Sequence, residues 1–125
     1  MHVLLTEEQE LFRRTVREFA EREIAPVAAE HDEKETFPTA TVRMMGKLGL
    51  LGLTLPEEYG GQGGGTVEYA LAMEEVARAD ASHAVVLTVQ SSLVAEPILK
   101  YGTDEQKNDY LKRLASGDLI GSFCL

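Results

Sequence analysis

A mostly α-helical domain is predicted for this chain, on three observations. Apolar residues recur at three-and-four spacing in several segments, and two Thr-x-x-Gln patterns, Thr6 to Gln9 and Thr103 to Gln106, mark helix starts. The third is an uncharged run, Ala81 to Ala95, which exceeds ordinary strand length and reads as a buried central helix.

The first helix follows Thr6, whose hydroxyl can cap the free amides while Gln9 reaches back. Leu5, Leu11, Phe12, Val16, Phe19, Ala20 and Ile24 form its apolar stripe, and Arg13, Arg14, Arg17, Glu18, Glu21 and Arg22 take the polar face. Pro26 is expected to end or kink it, leaving Glu30 to Glu35 as a polar connection. A short helix starts at Phe37-Pro38 and stops near Gly49, with Gly46 marking a close backbone contact. Leu50 to Pro56 reads as a buried extended piece. Gly60-Gly61-Gln62-Gly63-Gly64-Gly65 cannot hold regular structure and is expected to be a mobile or tightly turned connector. A helix restarts at Thr66, with Tyr69, Ala70, Met73, Val76 and Ala77 on one face and Glu68, Glu74, Glu75 and Arg78 off it. Asp80-Ala81-Ser82 is a boundary before the uncharged helix, which Pro97 breaks or kinks. The last helix runs from Thr103 to a stop at Ser116-Gly117. Leu119 to Leu125 reads as a strand beginning, and an apolar strand with nothing to pair against predicts a piece of a longer protein.

Composition limits the function. The chain has 125 residues, 12 basic and 21 acidic, a formal charge of −9, and 44% apolar residues. That suits one domain with its own core. The acidic balance argues against nucleic-acid partners, whose phosphates need clustered Lys and Arg. The uncharged run is too short to span a bilayer, and no signal or transit peptide is visible. The single cysteine, Cys124, excludes an internal disulfide and makes an intracellular location the default.

Motifs for chemistry are sparse. The glycine run lacks the lysine and spacing of a phosphate loop. Glu7-Glu8, Glu57-Glu58 and Glu74-Glu75 read as solvated faces, and only Glu96 adjoins apolar company. His2, His31 and His83 are far apart with no acidic partner at ligand spacing, so no metal site is expected; His83 reads as a helix-cap residue. Cys124 reads as a small hydrophobe.

Several segments together resemble the N-terminal helical domain of the acyl-CoA dehydrogenase family of flavoproteins. They are Leu5-Thr6-Glu7-Glu8-Gln9 with Phe19 and Ile24-Ala25-Pro26; Leu48-Gly49-Leu50-Leu51-Gly52-Leu53 with Leu55-Pro56-Glu57-Glu58-Tyr59-Gly60-Gly61; and Met73-Glu74-Glu75-Val76-Ala77-Arg78. Ser91-Ser92-Leu93, Gly102-Thr103-Asp104-Glu105-Gln106-Lys107, Tyr110-Leu111 and Gly121-Ser122-Phe123-Cys124-Leu125 continue the match.

The resemblance implies an up-and-down helical domain over 1–118, with 119–125 as the first strand of a middle β domain, in the first third of a homotetrameric FAD enzyme. The implied reaction converts an acyl-CoA, short or branched short chain, to a trans-2-enoyl-CoA, with electron-transfer flavoprotein as acceptor. It implies a cytoplasmic enzyme if bacterial and a mitochondrial-matrix one if eukaryotic. Val85, Val86, Val89, Gln90 and Leu93 are implied to face the acyl chain, and Phe123, Cys124 and Leu125 the flavin. The family's catalytic glutamate lies in its C-terminal domain, so no catalytic base is assigned here. The contrasting expectation is a non-enzymatic helical module that pairs with another chain through its exposed end.

Overall fold

The N–H of Gln9 donates to Thr6 Oγ1 at 3.2 Å and that of Thr6 to Gln9 Oε1 at 3.1 Å, so the first helix opens on the capping box its sequence spells. In the computed structural model, which describes residues 4–124, this helix, α1 (Glu7–Phe19), passes through a π turn (Ala20–Ile24) into α2 (Ala25–Glu33). The N–H of Ala25 reaches back five residues to Ala20, immediately before Pro26. A proline ring in an α-helix collides with the carbonyl four residues earlier; a widened turn moves that carbonyl aside. The chain therefore passes Pro26 without ending. Most of Glu30 to Glu35, expected as a connection, is helix.

α3 (Thr39–Lys47) follows Pro38 and stops at Gly49, whose φ of 79° suits glycine. A Cβ on Gly46 would lie 2.1 Å from the Ser116 carbonyl oxygen, the close contact its glycine suggested. Leu50 to Pro56 is not extended: Leu50–Gly52 is a 3-10 turn, although Leu50, Leu51, Leu53 and Leu55 are all buried. A short apolar run predicts burial without specifying conformation.

After a second 3-10 turn (Glu57–Tyr59), the glycine run folds back tightly. The N–H groups of Gly60, Gly61, Gln62, Gly63 and Gly64 donate to the carbonyls of Glu57, Pro56, Gly52, Leu55 and Leu53 at 2.7–3.1 Å. Those amides are engaged and cradle no anion.

α4 (Thr66–Ala79) precedes α5 (Ala81–Thr88), a second π turn (Val89–Ala95) and α6 (Glu96–Tyr101). Pro97 is passed as Pro26 is, with the Glu96 N–H reaching Ser91 five residues back. α7 (Asp104–Ser116) opens on the Thr103 capping box and stops at Gly117. Among the described residues there is no strand; Leu125 lies outside them. One core gathers Phe19, Ile24, Met45, Leu51 and Leu87, and a smaller one Leu55, Ala95, Leu111 and Leu114.

α1 and α4 are joined by a buried carboxylate. Glu75, expected on a solvated face, is 2% exposed. Arg17 grips it through Nε and Nη2 at 2.9 and 2.8 Å, Arg13 donates from Nε at 2.7 Å, and Arg78 approaches at 3.4 Å. Leu71 and Ala72 are buried with it, while Ala70 and Ala77, expected inward, are exposed. Pairing with arginines of another helix lets a charge occupy the interface that periodicity reserves for apolar residues.

Hydrogen bonding to Arg17 holds the Glu75 carboxyl at about 2, against burial, which pushes it upward; Arg13 adds to the lowering. The associated stability is complete above the ordinary value of 4.5 and is lost as pH falls from there towards 2. Chemical denaturation should show wild type losing on the order of 3 kcal/mol across that window. Glu75→Gln should be less stable at neutral pH and lose correspondingly less over the same window, keeping only the smaller losses from Asp80 and Glu68.

Candidate functional site

α5 and its π turn present two faces. His83, Ala84, Leu87, Gln90, Ser91 and Ala95 point inward and are buried. Val85 and Leu93, 59% and 41% exposed, point outward with half-buried Val89 between them at four-residue spacing. The helix expected to be central and buried thus leaves an apolar ridge that no described residue covers. Val86 turns aside, half-buried against the larger core and above a small cavity rimmed by His31, Pro38 and Asp80.

Gln90 does not share the ridge. Its Nε2 donates to the carbonyls of Leu114 at 2.8 Å and Leu119 at 2.7 Å, and its Oε1 accepts from the Gly121 N–H at 2.8 Å. Beyond Gly121 the chain runs out to Phe123, 51% exposed, and exposed Cys124. Among the described residues none hydrogen-bonds to the backbone of Ser122, Phe123 or Cys124. The remaining residue of that group, Leu125, lies outside the described residues.

The start of α5 carries a buried polar chain that the sequence reading missed. Asp80 Oδ2 accepts from the His83 N–H at 3.1 Å and lies 2.5 Å from its Nδ1; His83 Nε2 lies 2.6 Å from Thr41 Oγ1 on α3. His83 therefore serves the cap region, as expected, and also ties α5 to α3. Burial works to raise the Asp80 carboxyl, but the hydrogen bonds from His83 prevail and hold it below the usual range. The order Asp-His-Thr resembles a nucleophilic triad, yet His83 is 0% exposed and Thr41 only 6%, so no substrate reaches the hydroxyl. The signal available in sequence was Asp80 three residues before His83. Thr41 came from a distant helix and had none.

Glu96, whose apolar neighbours suggested burial, is exposed. No three His, Cys, Asp or Glu side chains among the described residues form a metal-binding group. A concavity of about 560 Å³ lies between α1 and the Leu48–Leu53 segment, with an apolar floor including Phe12, Val16, Leu50 and Leu53 and a rim including Glu8 and Glu68. Gln9 Nε2 donates to Glu68 at 2.9 Å and, with nearby backbone N–H groups, keeps that carboxyl below its usual range. None of the expected site residues lines it.

Thr41→Val should leave His83 Nε2 buried without its partner and cost about 1–3 kcal/mol by urea unfolding. Thr41→Ser, which keeps the hydroxyl, should recover most of that loss.

The sequence profile of the acyl-CoA dehydrogenase N-terminal domain matches residues 6–118. A probable acyl-CoA dehydrogenase of Bacillus subtilis is 48% identical over 125 residues, which cover 100% of this chain and 33% of that protein. The short-chain-specific acyl-CoA dehydrogenase of Clostridium acetobutylicum is 47% identical over 121 residues, covering 97% of this chain and 32% of that one. A glutaryl-CoA dehydrogenase of Mycobacterium smegmatis, solved in complex with FADH2, superimposes with a TM-score of 0.89 at 36% identity, over 93% of this chain and 30% of that one. The chain spans about a third of the length of these relatives. A matching profile over every described helix, joined to the same fold at these identities, shows that the chain belongs to the acyl-CoA dehydrogenase family and corresponds to its N-terminal helical domain.

Proposed function

We propose that this chain is the N-terminal third of an FAD-dependent acyl-CoA dehydrogenase that forms trans-2-enoyl-CoA from a short or branched short acyl-CoA. The observation that carries this is the ridge of Val85, Val89 and Leu93, which no described residue covers, beside a chain exit that offers an exposed aromatic and backbone groups bonded to no described residue. An apolar wall excludes water and favours a hydrocarbon chain through the area it covers. Val86 flanks that wall, and Gln90 supports it from beneath. Residues 1–118 form the helical domain and 119–125 open the middle β domain.

The Phe123 ring and the polar groups of Ser122 to Cys124, which bond to no described residue, suit the rim of a planar ring that accepts and donates hydrogen bonds; Leu125, which the resemblance adds to this set, lies outside the described residues. Nothing in the glycine run fits the dinucleotide phosphates, because its amides are engaged. When bound, FAD supplies the acceptor for the hydride that leaves the substrate β-carbon. This chain's residues bind and orient the acyl group. The α-proton goes to a carboxylate of the C-terminal domain. Glu75 and Asp80 are unsuited to that task, since both are held below the usual carboxylate range by internal partners. The complete enzyme is a homotetramer that passes electrons to electron-transfer flavoprotein, in the bacterial cytoplasm or the mitochondrial matrix. No described helix is long and apolar enough to cross a membrane.

The test is anaerobic addition of butyryl-CoA to the full-length protein, which should bleach the visible flavin absorption. A protein that binds no flavin and ignores the thioester would overturn the reading in favour of a helical interaction module. In the active enzyme, Leu93→Ala should deepen the pocket and raise kcat/KM for hexanoyl-CoA over butyryl-CoA about fourfold, at roughly 0.8 kcal/mol per added buried methylene. An unchanged ratio in both Leu93→Ala and Val89→Ala would remove the ridge from the pocket.

A further inference from the structure

Gln90 touches neither proposed surface directly, yet it lies between them. It is 1% exposed, and its amide makes three hydrogen bonds of 2.7–2.8 Å to the backbone of Leu114, Leu119 and Gly121. One side chain thus joins the last turn of α7 to the segment by which the chain leaves the helical domain. A second contact fixes the same segment. A Cβ on Gly121 would lie 2.4 Å from Val94 Cγ1, so the backbone at Gly121 rests directly on the π turn. Gln90 and Val94 each follow a ridge residue, Val89 and Leu93, by one position. Movement of the exit segment against the ridge would have to break these contacts.

We infer that Gln90, acting with the Gly121–Val94 contact, is a positioning residue that sets the flavin edge at Phe123 relative to the acyl-chain ridge; this rests on the function proposed above. Phe123 lies two residues beyond Gly121, so its Cα is within about 7 Å of the clamp. Little slack can build up over that distance. Hydride transfer requires donor and acceptor in near-attack geometry, and a displacement of about 1 Å can cost on the order of a hundredfold in rate. An apolar residue of similar volume would fill the space but leave two carbonyls and one N–H without their partner.

The experiment uses the full-length holoprotein with Gln90→Met, Gly121→Ala and the double variant Gly121→Ala/Val94→Ala. Each single variant should slow flavin reduction by butyryl-CoA at least about tenfold, with the thioester's Kd unchanged within about twofold. Each should also shift the bound flavin's visible absorption and speed amide exchange at Gly121. The double variant, which removes the two Val94 methyls nearest the added one and leaves the Val94 Cβ 3.0 Å from it, should regain part of the reduction rate. If the single variants lower only the melting temperature, leaving spectrum and reduction rate at wild-type values, Gln90 is structural and the inference is overturned. A wild-type protein that neither holds flavin nor reacts with butyryl-CoA would overturn the function and the inference together.

Discussion

The ring of Pro97 is the constraint from which the geometry of the helix around it follows. A proline ring within a continuing helix needs the carbonyl four residues earlier to move away, and the turn from Val89 to Ala95 widens to allow it. The widening affects the face presented outward. Four residues along an α-helix overshoot a full turn, whereas four along a π turn fall short, so steps from Val85 to Val89 and from Val89 to Leu93 offset one another in direction. The ridge stays in line, and Gln90 and Ser91 remain inside. Pro26 is passed by the same device at the other end of the fold, where the N–H of Ala25 also reaches five residues back.

Two buried polar assemblies hold the helices that carry this geometry. Glu75 binds α4 to α1 through Arg13 and Arg17, and Asp80 with His83 and Thr41 binds α5 to α3. Neither resembles the environment of a working base. Their carboxyls are surrounded by donors that favour the charged form, whereas a catalytic carboxylate near neutral pH requires surroundings that raise its affinity for a proton. Both acids therefore act in packing.

The uncovered surface is equally specific. Most of the apolar run from Leu50 to Leu55 is buried and the glycine connector is hydrogen-bonded back onto it, yet the ridge and Phe123 remain open. Both lie beside the exit of the chain from its helical body, with Gln90 and Gly121 holding that exit against the π turn. The open surface and the segment leading away from the helices form one structural unit.

The sequence by itself determined the features that depend on near neighbours. Thr6 and Thr103 cap their helices through residues three positions ahead, Gly49 and Gly117 end theirs in the left-handed region, and helices begin at Glu7, Thr66 and Asp104, as their start signals require. The matched motifs, taken in order, also pointed to the family. Tertiary structure alone decided that Glu75 would be buried, because its arginines lie 58 and 62 positions away in sequence. It decided that Gln90 would face the backbone of Leu114, Leu119 and Gly121 and not the ridge, and that Leu50 to Pro56 would turn where it could have extended. Caps and turns are set by atoms a few bonds apart, which local sequence specifies. Whether a charge or an amide can be buried depends on partners delivered by the fold, and a buried polar group is stable only where those partners arrive.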